Sequence, residues 1–238
     1  SLTPSGATST SRTTGTPSAA ATTGGTVDGV DVSAYQLRVD WAGLAASGVR
    51  FAYVKATEGT SFVSPTYAAQ RDGARSAGML VGGYHYARPA SSTGAAQARH
   101  LLAVTGGWRS DGRSLPDALD LEDSTSGPAC HGRTPAQLLS WVREFVDTYH
   151  AATGRAPLLY VKAEVWSRCL GGDRSLGAAV PLWLFDHEPP MGPLPAGWER
   201  ATIWQRGVEG GLDRNVFLGS QTALAAFLRR LGRPPPIL

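Results

Sequence analysis

The feature that most constrains the fold is a regular alternation of short apolar β-rich runs with helical patterns. Five strand–helix units follow one another from residue 27 to about residue 170. Their strands are predicted at 27–32, 50–56, 79–87, 117–121 and 158–161. Alternation of this kind predicts parallel strands joined by right-handed crossovers. The chain is therefore expected to be an α/β protein.

The segment 135–152 carries the clearest helical pattern, because its apolar residues recur at the 3.6-residue spacing of one helix face. Thr134 is the predicted N-cap of this helix, and Gly154 with Pro157 ends it. The other helices of this part are predicted at 40–46, 66–77 and 94–104, with a short one that ends at about Cys169.

The pattern changes after residue 180, where three strands are predicted at 181–185, 201–205 and 212–217 without helices between them. A last helix is predicted at 221–230. Eight strands fit a barrel, but a full eight-fold α/β barrel usually needs ~250 residues. We therefore predict a shortened TIM-like barrel of the (β/α)5(β)3 type. An open doubly wound sheet is the alternative, although no G-x-G-x-x-G follows the first strand.

Residues 1–26 differ in composition from the rest, since 14 of them are serine or threonine. A segment with almost no apolar side chains cannot bury enough surface to offset the entropy of ordering it. We predict a disordered linker over 1–26 and one catalytic domain over 27–238. Such linkers are common between a secretion signal and an exported domain, so secretion is expected although no signal segment is seen.

Charge and hydropathy argue against two classes of partner. No run approaches ~20 apolar residues, so no membrane-spanning helix is expected. The formal net charge is +3, and the basic residues are scattered rather than gathered into a stripe, so no nucleic-acid partner is expected. A monomer without a cofactor is expected.

Acidic residues recur at the ends of the predicted strands, where the active site of an α/β barrel lies. Asp31 ends the first strand, Asp120 and Glu122 end the fourth, and Asp213 lies on the last. Residues i and i+2 of a strand point to one face, so Asp120 and Glu122 are expected to share a cavity. A protonated acid beside a carboxylate is typical of glycoside hydrolysis. Alternatively, the pair caps the next loop or binds nearby arginines.

Aromatic residues at the same strand ends favour a sugar site, because sugar rings stack on aromatic faces while their hydroxyls need polar partners such as Gln205. The aromatic residues in question are Tyr35, Tyr84, Tyr86, Tyr160, Trp183 and Trp204. The alternative is that most of them belong to the core.

A metal site has weaker support from the sequence than a sugar site. His85 lies between Tyr84 and Tyr86, so on a strand it faces away from both. A site built from His85, Asp120 and Glu122 is an alternative, but no H-x-H or H-E-x-x-H spacing supports it, and no metal is predicted. The remaining histidines are expected to be isolated surface residues: His100, His131, His150 and His187.

The two cysteines are Cys130, after the D-x-E segment, and Cys169, at the end of the helix after the fifth strand. In a barrel both lie near the loops above the fourth and fifth strands. A disulfide is predicted if the protein is exported. Two free thiols that never meet are the alternative.

Taken together and in order, these motifs resemble glycoside hydrolase family 25, the Chalaropsis-type lysozymes. Each motif alone is weak, whereas the ordered set is specific and spans nearly all of residues 27–220. The matching segments are GVDVSAYQ (29–36), VDW (39–41), FAYVKATEG (51–59), AGMLVGGYHYARP (77–89), ALDLE (118–122), TYHAATGRAPLLYV (148–161), PLW (181–183), IWQ (203–205) and GLDRNVFLGS (211–220).

The resemblance implies a (β/α)5(β)3 barrel that cleaves the β-1,4 bond between N-acetylmuramic acid and N-acetylglucosamine in peptidoglycan glycan strands. Glu122 matches the catalytic acid/base, and Asp120 matches the carboxylate that steadies the substrate's acetamido group as nucleophile. Asp31 and Asp213 match the two other acids of the site. The substrate-binding residues expected from the resemblance, together with Gln205, are Glu58, Tyr84, Tyr160 and Trp183.

Two segments depart from the family pattern. After PLW the family often has a small residue and an aromatic one, whereas this chain has Leu184, Phe185, Asp186 and His187. Arg206 stands where a tyrosine commonly follows WQ. These changes are expected at the rim of the groove, where they affect subsite preference.

Two other functions stay open at this point. One is a peptidoglycan-binding module that has lost its activity, and the other is a hydrolase of another polysaccharide such as chitin. The presence of all four carboxylates favours an active enzyme.

Overall fold

In the computed structural model, which describes residues 25–229, eight strands close into a barrel. The strands are β1 Val27–Val32, β2 Phe51–Glu58, β3 Phe62–Val63, β4 Leu80–Tyr86, β5 Ala118–Asp120, β6 Leu158–Val161, β7 Leu182–Phe185, β8 Ile203–Glu209 and β9 Leu212–Phe217. The helices are α1 Trp41–Ala46, α2 Tyr67–Ser76, α3 Gly94–Thr105, α4 Pro135–Thr153, α5 Ala163–Leu170 and α6 Gln221–Arg229. The predicted linker, apart from residues 25 and 26, and the chain after 229 lie outside the described residues.

The order of the strands is β1-β9-β8-β7-β6-β5-β4-β2, and β1 also pairs with β2, which closes the barrel. Strand β3 is a two-residue addition that pairs only with β2, in antiparallel fashion. The closure confirms the predicted shortened TIM-like barrel and excludes the open doubly wound sheet.

The last strand reverses the direction of the sheet. All barrel pairs from β1–β2 round to β7–β8 are parallel, whereas β9 is antiparallel to both β8 and β1. Gly210 and Gly211 connect β8 to β9, with φ angles of 62° and 76°. Two consecutive residues with positive φ form the tight turn that suits a two-residue hairpin. The antiparallel direction of β9 was not part of the prediction.

The long helix α4 has the predicted ends. Thr134 and Gln137 form a reciprocal capping box, and Pro135 occupies the first turn. Gly154 ends the helix in the left-handed conformation, with a φ of 72°. The buried face of α4 packs on the outside of the barrel and includes Phe145 and Tyr149.

The lower part of the barrel is filled by large aromatic side chains, among them Phe51, Tyr53 and Trp183. Gly82 makes room for this filling, because a Cβ at this position would lie 2.5 Å from the Tyr53 ring. Leu224 of α6 joins the same inner cluster. Side chains that fill the lower barrel leave the opposite end, at the carboxyl ends of the strands, open as a groove.

The predicted disulfide is present. Cys130 and Cys169 are bonded, with Cα atoms 5.2 Å apart, and they tie the loop after β5 to the end of α5. The same loop is also held by Asp123, whose carboxylate accepts the Cys130 N–H and forms an ion pair with Arg168. Within the range 25–229, no helix is long and apolar enough to cross a membrane.

Candidate active site

A groove of about 480 Å³ opens at the carboxyl ends of the barrel strands. Volumes of roughly 300–1,000 Å³ are typical of small-molecule sites. Nine of the residues predicted to act in catalysis or substrate binding line this one groove: Asp31, Glu58, Tyr84, Asp120, Glu122, Tyr160, Trp183, Gln205 and Asp213. The barrel thus brings together acids that are far apart in the sequence.

Asp31 is a buried carboxyl on β1, directly opposite Asp213 of β9. Its Oδ2 accepts hydrogen bonds from Gln205 Nε2 at 2.8 Å and from Asn215 Nδ2 at 2.7 Å. Burial, followed by the nearby charge of Asp213, raises the pKa of Asp31 to about 7, although these two hydrogen bonds act in the opposite direction. Asp31 is therefore partly protonated near neutral pH.

Asp120 and Glu122 share the groove, as the i, i+2 spacing predicted. Leu121, between them, points instead into the core between strands and helices. Burial and then the charge of Glu122 raise the pKa of Asp120 well above its usual value. The pKa of Glu122 is also raised, mainly by burial. The pair therefore holds a proton more readily than two isolated carboxyls would.

One oxygen of Asp120 is unusual. Its Oδ1 is buried and has no hydrogen-bond partner among the described residues. Buried polar atoms in folded proteins nearly always have a partner, so each exception needs an explanation. The Asp120 side chain also lines the groove, so its carboxyl is one of the acids that a bound ligand would meet.

Glu58 has a different electrostatic setting. Lys55 Nζ donates to its Oε2 at 2.7 Å, and Arg88 Nε donates to its Oε1 at 2.7 Å. Burial raises the pKa of Glu58, but these bonds outweigh burial and the net pKa is lowered. The same two cations lie 4.8 and 4.9 Å from the centroid of the Tyr86 ring. Glu58 thus orders one wall of the groove as an anion and is not a proton donor.

His187 lies in the groove, so the expectation of an isolated surface residue was wrong for it. Its Nε2 is 2.8 Å from Gln205 Oε1, which also accepts the Tyr160 hydroxyl at 2.9 Å. Burial raises the pKa of Asp213, while His187 lowers it. His187 therefore belongs to the hydrogen-bond network in which Gln205 donates to Asp31, and it also lies close to Asp213.

Aromatic rings form the floor of the groove. Trp183 is only 2% exposed, and its ring centroid lies 4.6 Å from that of Tyr53 and 4.9 Å from that of Tyr160. Its Nε1 donates to Asn215 Oδ1 at 2.8 Å. Tyr35, by contrast, is 95% exposed and stands at the rim. A ligand in the groove thus meets a rigid floor and one free aromatic ring.

Comparison with known proteins identifies the same family that the sequence motifs resemble. The sequence model of "Glycosyl hydrolases family 25" matches residues 30–210. The chain belongs to this family. It is therefore a glycoside hydrolase, as the ordered motifs predicted.

Individual relatives of the family resemble the chain over most of its length. An N,O-diacetylmuramidase of Chalaropsis sp is 45% identical over 184 residues, which are 76% of this chain and 87% of that protein. Lysozyme M1 of Streptomyces globisporus is 37% identical over 84% of this chain and 70% of its own length. The solved structure of a family GH25 lysozyme from Aspergillus fumigatus superposes with a TM-score of 0.84, at 38% identity, over 87% of this chain and 100% of that one.

The departures from the family pattern do not all reach the groove. Phe185 and His187 line it, as expected of rim positions. Leu184 is buried between the barrel and the helices, so its expected place at the rim was wrong. The Arg206 side chain lies near Asp28, with their charged atoms 4.0 Å apart, and does not line the groove.

Trp204, which we had grouped with the groove aromatics, also lies elsewhere. Its Nε1 donates to the Asp186 carbonyl, and its ring packs against the outer core. Lys55 and Asn215, by contrast, were not predicted. The alternation of side chains along a strand could have identified both, since Lys55 follows Tyr53 by two residues and Asn215 follows Asp213 by two.

The alternative metal site is not formed. His85 is buried on the helix side of β4, where its Nδ1 and Nε2 make hydrogen bonds of 2.8 Å to Thr57 and Gln97. Burial lowers the pKa of His85 to about 4. The ring packs on Phe145 and does not reach Asp120 or Glu122.

Proposed function

We propose that the protein is a muramidase that hydrolyses the β-1,4 bond between N-acetylmuramic acid and N-acetylglucosamine of bacterial peptidoglycan. In this proposal Glu122 is the acid/base and Asp120 orients the acetamido group of the substrate. The observation that carries it is the Asp120–Glu122 pair in a groove with an unpaired Asp120 Oδ1. The relatives named N,O-diacetylmuramidase and lysozyme support the choice of substrate.

The unpaired oxygen supports the role of Asp120. A buried acceptor without a donor costs about 1–3 kcal/mol. The N–H of an N-acetyl group can supply that donor and release this cost on binding. A hydrogen bond to the carboxylate form also lowers the pKa of Asp120, so the proton held by the pair moves to Glu122. Substrate binding thus sets up the protonation state that the reaction needs.

The reaction then proceeds in two steps. Glu122 gives its proton to the glycosidic oxygen as the bond from that oxygen to C1 breaks. The acetamido carbonyl oxygen attacks C1 and forms an oxazolinium-type intermediate, while Asp120 holds the amide nitrogen. Water then attacks C1 and gives a proton to Glu122, while the bond from C1 to the acetamido oxygen breaks and its electron pair returns to the amide. This step restores both the acetamido group and the protonated Glu122, with net retention at C1. Such substrate-assisted routes are known among glycoside hydrolases.

The other groove residues contact the sugar or stabilise the positive charge that develops on it. Asp31 and Asp213 place negative potential near the positive charge that develops on the sugar ring. Gln205 ties Asp31 to Tyr160 and offers polar contacts to sugar hydroxyls. Tyr84, Tyr160 and Trp183 present aromatic surface, and Glu58 orders the wall near Tyr86.

We also propose that the protein works outside the cytoplasm as a monomer. The disulfide between Cys130 and Cys169 supports export, because such bonds persist in oxidising compartments.

The test is the release of reducing ends from peptidoglycan by the wild type and by Glu122→Gln. We expect Glu122→Gln to lower kcat by about 10²–10⁴-fold, the usual contribution of general acid–base catalysis, while binding to peptidoglycan is kept. Glu199→Gln, at an exposed acid away from the groove, is the matched control.

The products decide between the alternatives. Mass spectrometry of the released muropeptides should show muramic acid at the new reducing ends. Glucosamine at those ends, or equal action on chitin, would assign the protein to another bond or polymer. Binding without release by the wild type would make it an inactive wall-binding module.

A further inference from the structure

A second cavity opens off the groove beside Glu122. Its volume is about 250 Å³, roughly half that of the groove at 480 Å³. Glu122, Thr125 and Phe185 line both cavities, so the two lie side by side. The remaining walls come from the loop after β5, from Lys162 and from helix α5. We call this cavity the side pocket.

The walls of the side pocket are held in place. Asp123 accepts the N–H groups of Ser124 and Cys130, and its carboxylate forms an ion pair with Arg168 of α5. The disulfide from Cys130 to Cys169 ties the same loop to the same helix. The side pocket therefore exists before any ligand binds.

Two cations, Lys162 and Arg168, line the side pocket together with three acids, Glu122, Asp123 and Glu164. Arg168 is occupied, since it pairs with Asp123 and also lies 3.4 Å from Glu164. Lys162 forms no ion pair with an acid of the described range. Its ammonium lies 4.0 Å from the centroid of the Phe185 ring, which helps to hold it at the junction with the groove. An anionic group that enters the side pocket can therefore pair with Lys162, an exposed cation that has no ion-pair partner among the described residues.

We propose that the side pocket binds the stem peptide of the peptidoglycan strand, with a peptide carboxylate paired to Lys162. The inference rests on the proposed function, because muramic acid carries this peptide on its lactyl ether. A sugar seated beside Glu122 lies next to the opening of the side pocket, so a substituent of the glycan can enter it. The pairing would make Lys162 a residue that determines substrate specificity through the stem peptide.

The test compares two substrates made from one peptidoglycan preparation: soluble strands with their stem peptides, and the same strands after amidase removes the peptides. The measured ratio is kcat/KM on peptide-bearing strands divided by kcat/KM on peptide-free strands. We expect Lys162→Gln to lower this ratio roughly fivefold, chiefly because KM rises for the peptide-bearing strands. An effect of this size is typical of an ion pair near solvent. Lys162→Arg should restore the ratio. Arg109→Gln removes an exposed cation outside the side pocket and serves as the control.

The ratio separates this role from an effect on catalysis. Lys162 also lowers the pKa of Glu122, which burial raises, but loss of that effect changes both substrates alike and cancels in the ratio. An unchanged ratio would overturn the inference. A larger loss of kcat/KM on the peptide-free strands would show that Lys162 pairs with the lactyl carboxylate that the amidase exposes. That result would also overturn the inference. If the wild type cleaves neither substrate, the proposed function itself is wrong.

Discussion

Replacement of Asp31 by asparagine should make the protein more stable at neutral pH while it impairs catalysis. Asp31 is a buried acid whose pKa is about 7, against 3.8 for the ordinary side chain. Between these two values the folded protein binds a proton that the unfolded chain has released. The free energy of unfolding therefore falls as the pH rises through this window. Asparagine has nearly the same shape, never ionises, and offers an oxygen to the amides of Gln205 and Asn215.

The size of the effect follows from the two pKa values. One pKa unit corresponds to about 1.4 kcal/mol, so ionisation of Asp31 costs the fold about 0.5 kcal/mol at pH 4, about 2 kcal/mol at pH 5.5 and about 4 kcal/mol at pH 7. The difference in unfolding free energy between Asp31→Asn and wild type should grow in the same way.

Urea unfolding at these three pH values measures the difference, provided that unfolding is reversible. The other titrating groups are common to both proteins, so they largely cancel. Asp28→Asn is the matched control, because Asp28 lies on the same strand with a side chain that is 55% exposed. A difference for Asp31→Asn that stays flat across the range would refute the reasoning, and so would a loss of stability that grows with pH.

Two further predictions concern the disulfide and His187. The double variant Cys130→Ser with Cys169→Ser should lower the unfolding free energy by about 4 kcal/mol, from closure of a loop with a sequence separation of 39; equal urea midpoints for variant and wild type would contradict this. His187→Phe keeps an aromatic ring against Phe185 but removes the contact to Gln205 Oε1. One hydrogen bond is worth about 0.5–1.5 kcal/mol, so kcat/KM on peptidoglycan should fall by about two- to tenfold, and an unchanged value would show that the contact is not used.

Much of the fold was predictable because each strand–helix unit carries its own local pattern. Strands β1, β6 and β9 have the predicted bounds, since turn residues or a change of period flank each apolar run. Strand β3 was missed because its two residues, Phe62 and Val63, are 42% and 45% exposed and show no period of their own. The longer β8 was missed because its extension, as far as Glu209, depends on pairing with β9.

The acids of the site were predictable for a different reason. A closed barrel brings the carboxyl ends of its parallel strands to one opening, so linear separation does not matter. Strand alternation applied more strictly would also have placed Phe185 inward and Leu184 outward, since Trp183 faces the groove. His187 could not be foreseen in this way, because it lies beyond β7 in a Pro-rich connection without a period.

Burial alone does not distinguish a carboxyl of the groove from a structural one in this barrel. Asp117 and Asp120 lie three residues apart, both are buried, and burial raises the pKa of Asp117 to about 6. Asp117, however, accepts hydrogen bonds from the Gly83 N–H, the Thr105 hydroxyl and the Tyr149 hydroxyl. Asp120 faces the groove with an oxygen that no described residue satisfies. The hydrogen-bond partners of the two carboxyls, and not their burial, therefore distinguish Asp120 from Asp117.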